Sequence, residues 1–591
     1  MERKKSQILF NFLPGSTFDH SDNGVIGRTI SVAEDDSANV DELPKHHILG
    51  RIRPEAEQWH RPPSYRSSDV RLVAPDDVEF EIFPRDFECA RCRVVTQIDA
   101  QNLRRDDFTP ECESCGKWFG DTEQLQLVAI CNCGKLESLE VPSHCRDRGV
   151  KLIRGSSLID ARWVCECGEV LESPYDAHGR CDSCGTLDIT PHSASKTFYP
   201  QRAEFVNAHS DDIDNIRNSQ HFRLNVVGNY LAETVTGTRS NDDGPDDLTQ
   251  AALEQLDPEI REQVVQARNK TVENHRKQIQ TKREWLNGNF DEEALRGVAE
   301  EVFEYESLSS DGIYSETLQD LADDARSRRD LDAPTIERYT ERAADLNFSS
   351  IRLIENFPIT TAVYGYTRVS PEPEDNVRLR PLRSAERDRD RDEVYVRTSE
   401  TEAIAVELDP ETIVEWLDQN LDKFDPPEEN YRDWLVDTMT LPEEPSVYPY
   451  FDEIAREPQA RYPLVLLHTL SHLFINTIDA LSGYEADSLV EYTLPRALTF
   501  VVYKRSQTDF SLGSMFTMVE NRFDQICDYL EDEGHQCMYD PLCEHEENSA
   551  CEGCLYVSSR SCKHGNHNLA RSTVYGGVFD DKEINVGYFN A

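Results

Sequence analysis

The chain has 591 residues, 62 Lys+Arg against 112 Asp+Glu, and a formal net charge of −50. At roughly 100–200 residues per domain, that length implies about three to five domains. With 38% hydrophobic residues, 24 Phe, 22 Tyr and 6 Trp, global disorder is excluded. The most apolar stretch, Tyr462 to Ile478, is interrupted by His468 and His472, so no membrane span is expected. The opening MERKKSQILFNFLPGS has a basic cluster but too short an apolar segment for a secretory leader. A cytoplasmic protein is expected. Acidic residues are spread along the whole chain, and only 14 of the 62 basic residues are Lys. Uniform acidity of this kind fits a protein kept soluble at high salt, where self-repulsion is screened. It therefore does not exclude a nucleic-acid partner.

Residues 1–85 mix short apolar runs with Gly, Pro and Asp and read as an N-terminal mixed, irregular β segment. Residues 86–200 hold eleven of the 17 cysteines, and none falls between 185 and 526. Clustering of this kind, in a chain that is not expected to be secreted, points to metal rather than disulfides. Cys89-x2-Cys92 and Cys112-x2-Cys115 are two knuckles nineteen residues apart, able to put four thiolates on one tetrahedral Zn²⁺. Cys165-x-Cys167 and Cys181-x2-Cys184, thirteen residues apart, read as a second ribbon. Between them stand Cys131-x-Cys133-Gly134 and His144-Cys145, which either form a third site or are buried thiols. The segment QLQLVAIC (124–131) reads as a buried strand.

Residues 201–350 form an acidic, largely helical region, with SNDDGPDD (240–247) as a solvated linker. Apolar residues at Leu253, Leu256, Ile260, Val264 and Val265, then Ala294, Val298 and Val302, keep near-helical spacing. Residues 351–454 form a mixed α/β region with an Arg-rich loop, RLRPLRSAERDRDRDE (378–393). Arg378, Arg380 and Arg383 have no acidic residue between them, whereas Arg387, Arg389 and Arg391 are interleaved with Asp. The first three are the candidate phosphate contacts, against the plainer reading of an exposed charged loop. AIAVEL (403–408) reads as a strand and the segment after Asp409-Pro410 as a helix.

Residues 455–591 read as helix (462–482), strand (488–494), strand (498–503) and helix (513–531), followed by a cysteine cluster. Cys543, Cys551, Cys554 and Cys562 give four thiolates, with Cys537 competing for the first place and His545, His564 and His567 nearby. The expected fold is thus α+β multidomain: N-terminal zinc ribbons, a helical middle, and a C-terminal α/β unit with a four-cysteine appendage. About three Zn²⁺ are expected, all structural, because four thiolates leave no position for substrate.

LVLLHTLSHLFINTIDALSGYEADSLVEY (464–492), FVVYKRSQTDFSLGSMFTMV (500–519) and CMYDPLCEHEENSACEGCLYVSSRSCKHGNHNLARS (537–572) resemble the zinc-binding domain that ends MrfA-type helicases. With ITTAVYGYTRV (359–369), AIAVELDPETIVEWL (403–417), FPRDFECARC (83–92) and QLVAICNCG (126–134), the ordered set is similar to the DrmB family of DISARM anti-phage systems. The family's C-P-N-G-H element stands here as Cys131-Asn132-Cys133-Gly134. The resemblance implies a non-catalytic partner of a DrmA-type helicase, in a hetero-oligomer that engages foreign DNA.

Two rival readings remain. His468 and His472 lie one turn apart on a helix, and Glu491 follows nineteen residues later, as in a metal-dependent hydrolase or nuclease. A zincin, however, needs Glu directly after the first His, and residue 469 is Thr. Packed, structural histidines are therefore the favoured reading. The other rival is a transcription-related adaptor built on the ribbons. G-x-x-x-x-G-K-[ST], G-x-S-x-G and G-x-G-x-x-G are all absent from the sequence. The chain is not itself expected to be a motor or an enzyme.

Overall fold

The computed structural model describes residues 5–20, 25–35, 38, 40, 43, 45–99, 112, 114–116, 122–146, 148–207, 221–233, 258–291, 294–310, 312–325, 333–373, 376–384, 391–427, 431–438, 457–482, 488–505, 514–546, 549–558, 561–562, 564–579 and 582–591. The expected linker 240–247, Leu253, Leu256, Arg387, Arg389 and Gly513 lie outside them. The chain forms two compact units, Met1–Glu204 with Thr360–Thr398, and Phe205–Ile359 with Ser399–Ala591. Two long strands, Phe348–Thr367 and Asp392–Leu408, contribute residues to both. The segments 1–85 and 86–200 thus share one unit, and 351–454 is divided between the two.

In the first unit, Val25–Glu34 lies between Thr17–His20 and Pro75–Ile82, antiparallel to each. The expectation of irregular β over 1–85 needs correction, because Lys5–Asn11 and Lys45–Glu57 are helices. In the second of these, Ile48, Ile52 and Ala56 recur four apart and are buried, and Pro54 is accommodated near its end. Core burial of that stripe outweighs the hydrogen bond a proline removes. Two small sheets follow. One runs in the order Arg162–Cys165, Val150–Ile153, Val94–Gln97, Asp86–Cys89, Thr122–Gln124. The other runs Asp188–Pro191, Leu127–Ile130, Leu136–Glu137, and its middle strand is the expected buried one. Val95, Leu127, Val150, Leu152, Trp163 and Ile189 form a shared apolar core on these strands, whereas around the first knuckle Phe87 and Ile98 pack chiefly with the thiols of Cys89 and Cys112.

One side chain joins three segments of this unit. Arg368 is 2% exposed, and its Nε donates to Gly134 O (3.0 Å), one Nη to Gly15 O (2.9 Å), and the other to Thr197 O. Its guanidinium also lies 4.9 Å from the Tyr366 ring centroid.

Among its described residues the second unit has five helices, Phe222–Glu233, Pro258–Asn289, Arg296–Ser307, Leu318–Ala325 and Ala333–Asp345, in the region expected to be helical. Thr499–Lys504 pairs antiparallel with Leu489–Leu494 and with Ala403–Glu407. Pro410–Asn420 is capped by Asp409, whose carboxylate accepts from Thr412 N at 2.7 Å. At the centre lies Pro458–Ser482. By length and composition this helix is apolar enough to cross a membrane, but most of it is buried inside the unit. A long helix apolar over most of its circumference is here a core helix.

Replacing Arg368 by Met keeps the aliphatic stem but leaves three buried carbonyls without their donor. At about 1 kcal/mol or more per stranded acceptor, a loss of roughly 3 kcal/mol is expected, read as a lower urea midpoint. Arg368→Lys, which restores one donor in place of a fork, is expected to recover only part of it.

Candidate metal centres

Strand register decides which cysteines meet. Asp86–Cys89 and Val94–Gln97 form a hairpin whose turn is the Cys89–Cys92 knuckle, and Cys89 lies opposite Thr122. Cys89, Cys92, Cys112 and Cys115 form one group, as the spacing predicts. Cys89 Sγ is 3.8 Å from Cys115 Sγ, and Cys92 Sγ is 3.4 Å from Cys112 Sγ. A disulfide needs ~2.05 Å, whereas two thiolates on one tetrahedral zinc stand ~3.8 Å apart at Zn–S ≈ 2.3 Å. Gly116 takes φ +62° and donates to Cys112 O at 2.8 Å, closing the second knuckle.

The second ribbon is not the one that spacing suggests. Leu127–Ile130 runs antiparallel to Asp188–Pro191 with Ile130 opposite Asp188. The residues after the first strand therefore meet those before the second, and Cys131, Cys133, Cys181 and Cys184 form one group. Cys181 Sγ is 3.6 Å from both Cys131 Sγ and Cys133 Sγ. Likewise Val150 lies opposite Cys165, so that His144 and Cys145, just before that strand, join Cys165 and Cys167. His144 Nδ1 is 3.3 Å from Cys145 Sγ and 3.5 Å from Cys167 Sγ. Cys165 and Cys167 are thus not partners of Cys181 and Cys184. The two open alternatives, Cys131-x-Cys133 and His144-Cys145, each supply half a group.

At the C-terminus Cys537, Cys543, Cys551 and Cys554 lie together, with Cys543 and Cys551 each 3.8 Å from Cys554, and Cys537 3.5 Å from Cys551. Both competitors for the first position are in. The expected fourth ligand, Cys562, is elsewhere, beside His468, His472 and Glu491. Arg571 braces the four-cysteine group, one Nη donating to both oxygens of the Asp540 carboxylate at 2.9 Å each. Sixteen of the seventeen cysteines belong to these five groups, and buried Cys527 alone does not.

Sulfur and imidazole are donors that zinc takes, and ionisation is divided within each group: burial pushes Cys92 up to about 12, and the hydrogen bond with Cys165 pushes Cys145 up to about 11. Burial opposes ionisation of Cys89, but N–H groups of Cys92 and Arg91 outweigh it and bring the thiol to about 7. The Cys167 N–H similarly brings Cys165 to about 6. A thiolate is the form that binds metal. The four cysteine-rich groups can each hold a zinc ion with a filled tetrahedral shell.

The arginines are placed differently from one another. Arg383 is exposed, but its Nε lies 2.7 Å from Asp392 Oδ1. Arg378 and Arg380 are half-buried. The Arg378 N–H donates to Asn132 O at 2.8 Å, and the Arg380 stem lies over Gly134, where a Cβ would come within 2.5 Å of its Cγ. The knuckle of the second group therefore seats this arginine segment.

The profile of a domain of unknown function (DUF8724) matches residues 4–199, the stretch that holds the first three groups. The DISARM protein DrmB of Bacillus paralicheniformis is 28% identical over 224 residues, covering 34% of this chain and 36% of that protein. The chain thus spans about a third of the length of the curated relative it matches, and over that third its relationship is DrmB-like.

Elemental analysis of the freshly purified chain is expected to find zinc for each of the four cysteine-rich groups. Cys145→Ser is expected to remove one equivalent. A ribbon made of Cys165, Cys167, Cys181 and Cys184 predicts no change in that variant.

Proposed function

We propose that this chain is a non-catalytic subunit of a DISARM-like anti-phage complex, acting with a separate DrmA-type helicase to engage foreign DNA. The observation that carries this reading is the DrmB-like stretch, DrmB being a DISARM protein by its name. The zinc groups support a structural role, since four protein donors leave no open position for a substrate. In this reading residues 455–591 are an MrfA-type zinc-binding domain, the assembly is a cytoplasmic hetero-oligomer, and its DNA is held in the complex rather than by the isolated, acidic chain. The even spread of acidity makes it a protein of high-salt surroundings.

The hydrolase reading has one observation in its favour, the meeting of His468, His472 and Glu491. Against it, all three are at most 4% exposed, and Cys562 stands as a fourth donor. A catalytic metal keeps an open position. The absence of a Glu after His468 leaves no general base where that chemistry needs one.

The phosphate-contact proposal now rests chiefly on Arg378 and Arg380, because Asp392 neutralises Arg383. Two measurements test the function. The tagged chain is expected to co-elute with a co-expressed DrmA-type helicase from the same source, and failure to do so at matched high salt contradicts the reading. In the assembled complex, Arg378→Ser with Arg380→Ser is expected to weaken binding about equally for different DNA sequences. The salt dependence should become shallower by up to ~0.9 per lost contact.

A further inference from the structure

The Pro458–Ser482 helix is apolar except for one face, where His468, Thr469, His472 and Asn476 meet the C-terminal segment. Asn476 donates to Cys554 O at 3.0 Å, and Thr469 Oγ1 accepts from Ala570 N at 3.0 Å. His472 Nδ1 is 2.9 Å from Leu555 O, and His468 Nδ1 is 3.2 Å from Asn568 O. A carbonyl oxygen only accepts, so both Nδ1 atoms carry the proton and donate. The two Nε2 atoms then turn inward. His468 Nε2 is 3.2 Å from Glu491 Oε1 and 3.3 Å from Cys562 Sγ, and His472 Nε2 is 3.2 Å from Glu491 Oε2.

In neutral rings those inward nitrogens are lone pairs facing carboxylate oxygens, acceptor against acceptor in a site no more than 4% exposed. Such an arrangement is costly unless something positive stands among them. Either protons stand there, on the rings, the carboxyl or the thiol, or a cation occupies the centre. The surrounding hydrogen bonds favour the cation. Each ring is fixed by a backbone carbonyl behind it, the arrangement that orients metal-binding histidines. Ser471 Oγ donates to Glu491 Oε2 at 2.6 Å, and the Cys562 sulfur accepts N–H groups from His564 and Asn566, both at 3.3 Å. Those donors hold the sulfur and the carboxylate in place as acceptors. For nitrogen and oxygen ligands at ~2.0–2.1 Å a tetrahedral edge is about 3.3 Å, close to the two His–Glu491 distances, each of which ends on a different carboxylate oxygen.

We propose that His468, His472, Glu491 and Cys562 form a fifth, buried metal site for one divalent ion of zinc's class. Two imidazoles and a thiolate exclude the oxygen-seeking Mg²⁺ and Ca²⁺, and a fourth protein donor separates the site from open two-histidine, one-carboxylate iron centres. Its ligands come from the helix, the Leu489–Leu494 strand and the C-terminal segment, so the ion cross-links three elements of one unit. The inference does not depend on the defence-complex reading.

The test uses the full chain loaded with cadmium-113. Nitrogen and oxygen donors shield the nucleus relative to sulfur. One resonance is therefore expected well upfield of those of the cysteine-rich groups. Cys562→Ser and His472→Gln are each expected to lose that resonance, and one metal equivalent by native mass spectrometry, with the other resonances retained. A wild-type chain lacking the upfield resonance overturns the proposal and leaves a buried ion-pair network. Folded variants that keep the resonance and every equivalent overturn it too. If neither variant folds, the wild-type spectrum decides alone.

Discussion

Antiparallel register is the constraint on which the metal groups depend. Ile130 opposite Asp188, and Val150 opposite Cys165, fix which sequence-distant pairs face each other. A slip of one residue in either ladder turns the flanking cysteines to the wrong side. Around Phe87 and Ile98 thiols make up much of the local core, while Val150, Leu152, Trp163 and Ile189 give the neighbouring hairpins an apolar core of their own. Metal bound at the first knuckle would therefore add most to local folding there. The same knuckles serve as mounts. Asn132 and Gly134 hold the arginine segment, and Gly134 also receives Arg368.

In the second unit a helix does the corresponding work. Pro458–Ser482 buries apolar residues on every side and still carries a polar stripe. Buried polar groups persist only where they are paired, and here each member of the stripe has its partner on the C-terminal segment. The His-x3-His pattern that suggests a hydrolase is thus part of a docking face. In the proposed centre, burial and the fourth donor would leave no position for substrate.

Much of this was legible in the sequence, for reasons particular residues make plain. Cys89, Cys92, Cys112 and Cys115 are two knuckles with no rival between them, so spacing sufficed. The strand QLQLVAIC, the helix after Asp409-Pro410 and the helix–strand–strand–helix order after 455 were carried by periodicity and caps. The second and third groups were not legible, because four half-sites lie between 131 and 184 and only strand partners choose among them. The end of QLQLVAIC at Cys131 was the available signal. Cys562 misled because its distance from Cys554 repeats that of Cys543 from Cys551, while its segment turns back to the helix. Ile48, Ile52 and Ala56 signalled a helix that Pro54 masked. Arg383 looked free because its partner, Asp392, stands nine positions on, beyond the intervening charges.

The account's central claim is that strand register, not proximity along the chain, selects the zinc ligands. Stepwise displacement of metal from the native chain, with alkylation of each newly freed thiol and peptide mapping, reads the groups directly. The account predicts that Cys131 and Cys133 are released together with Cys181 and Cys184, and Cys145 together with Cys165 and Cys167. Release of Cys165 and Cys167 in step with Cys181 and Cys184 would contradict it.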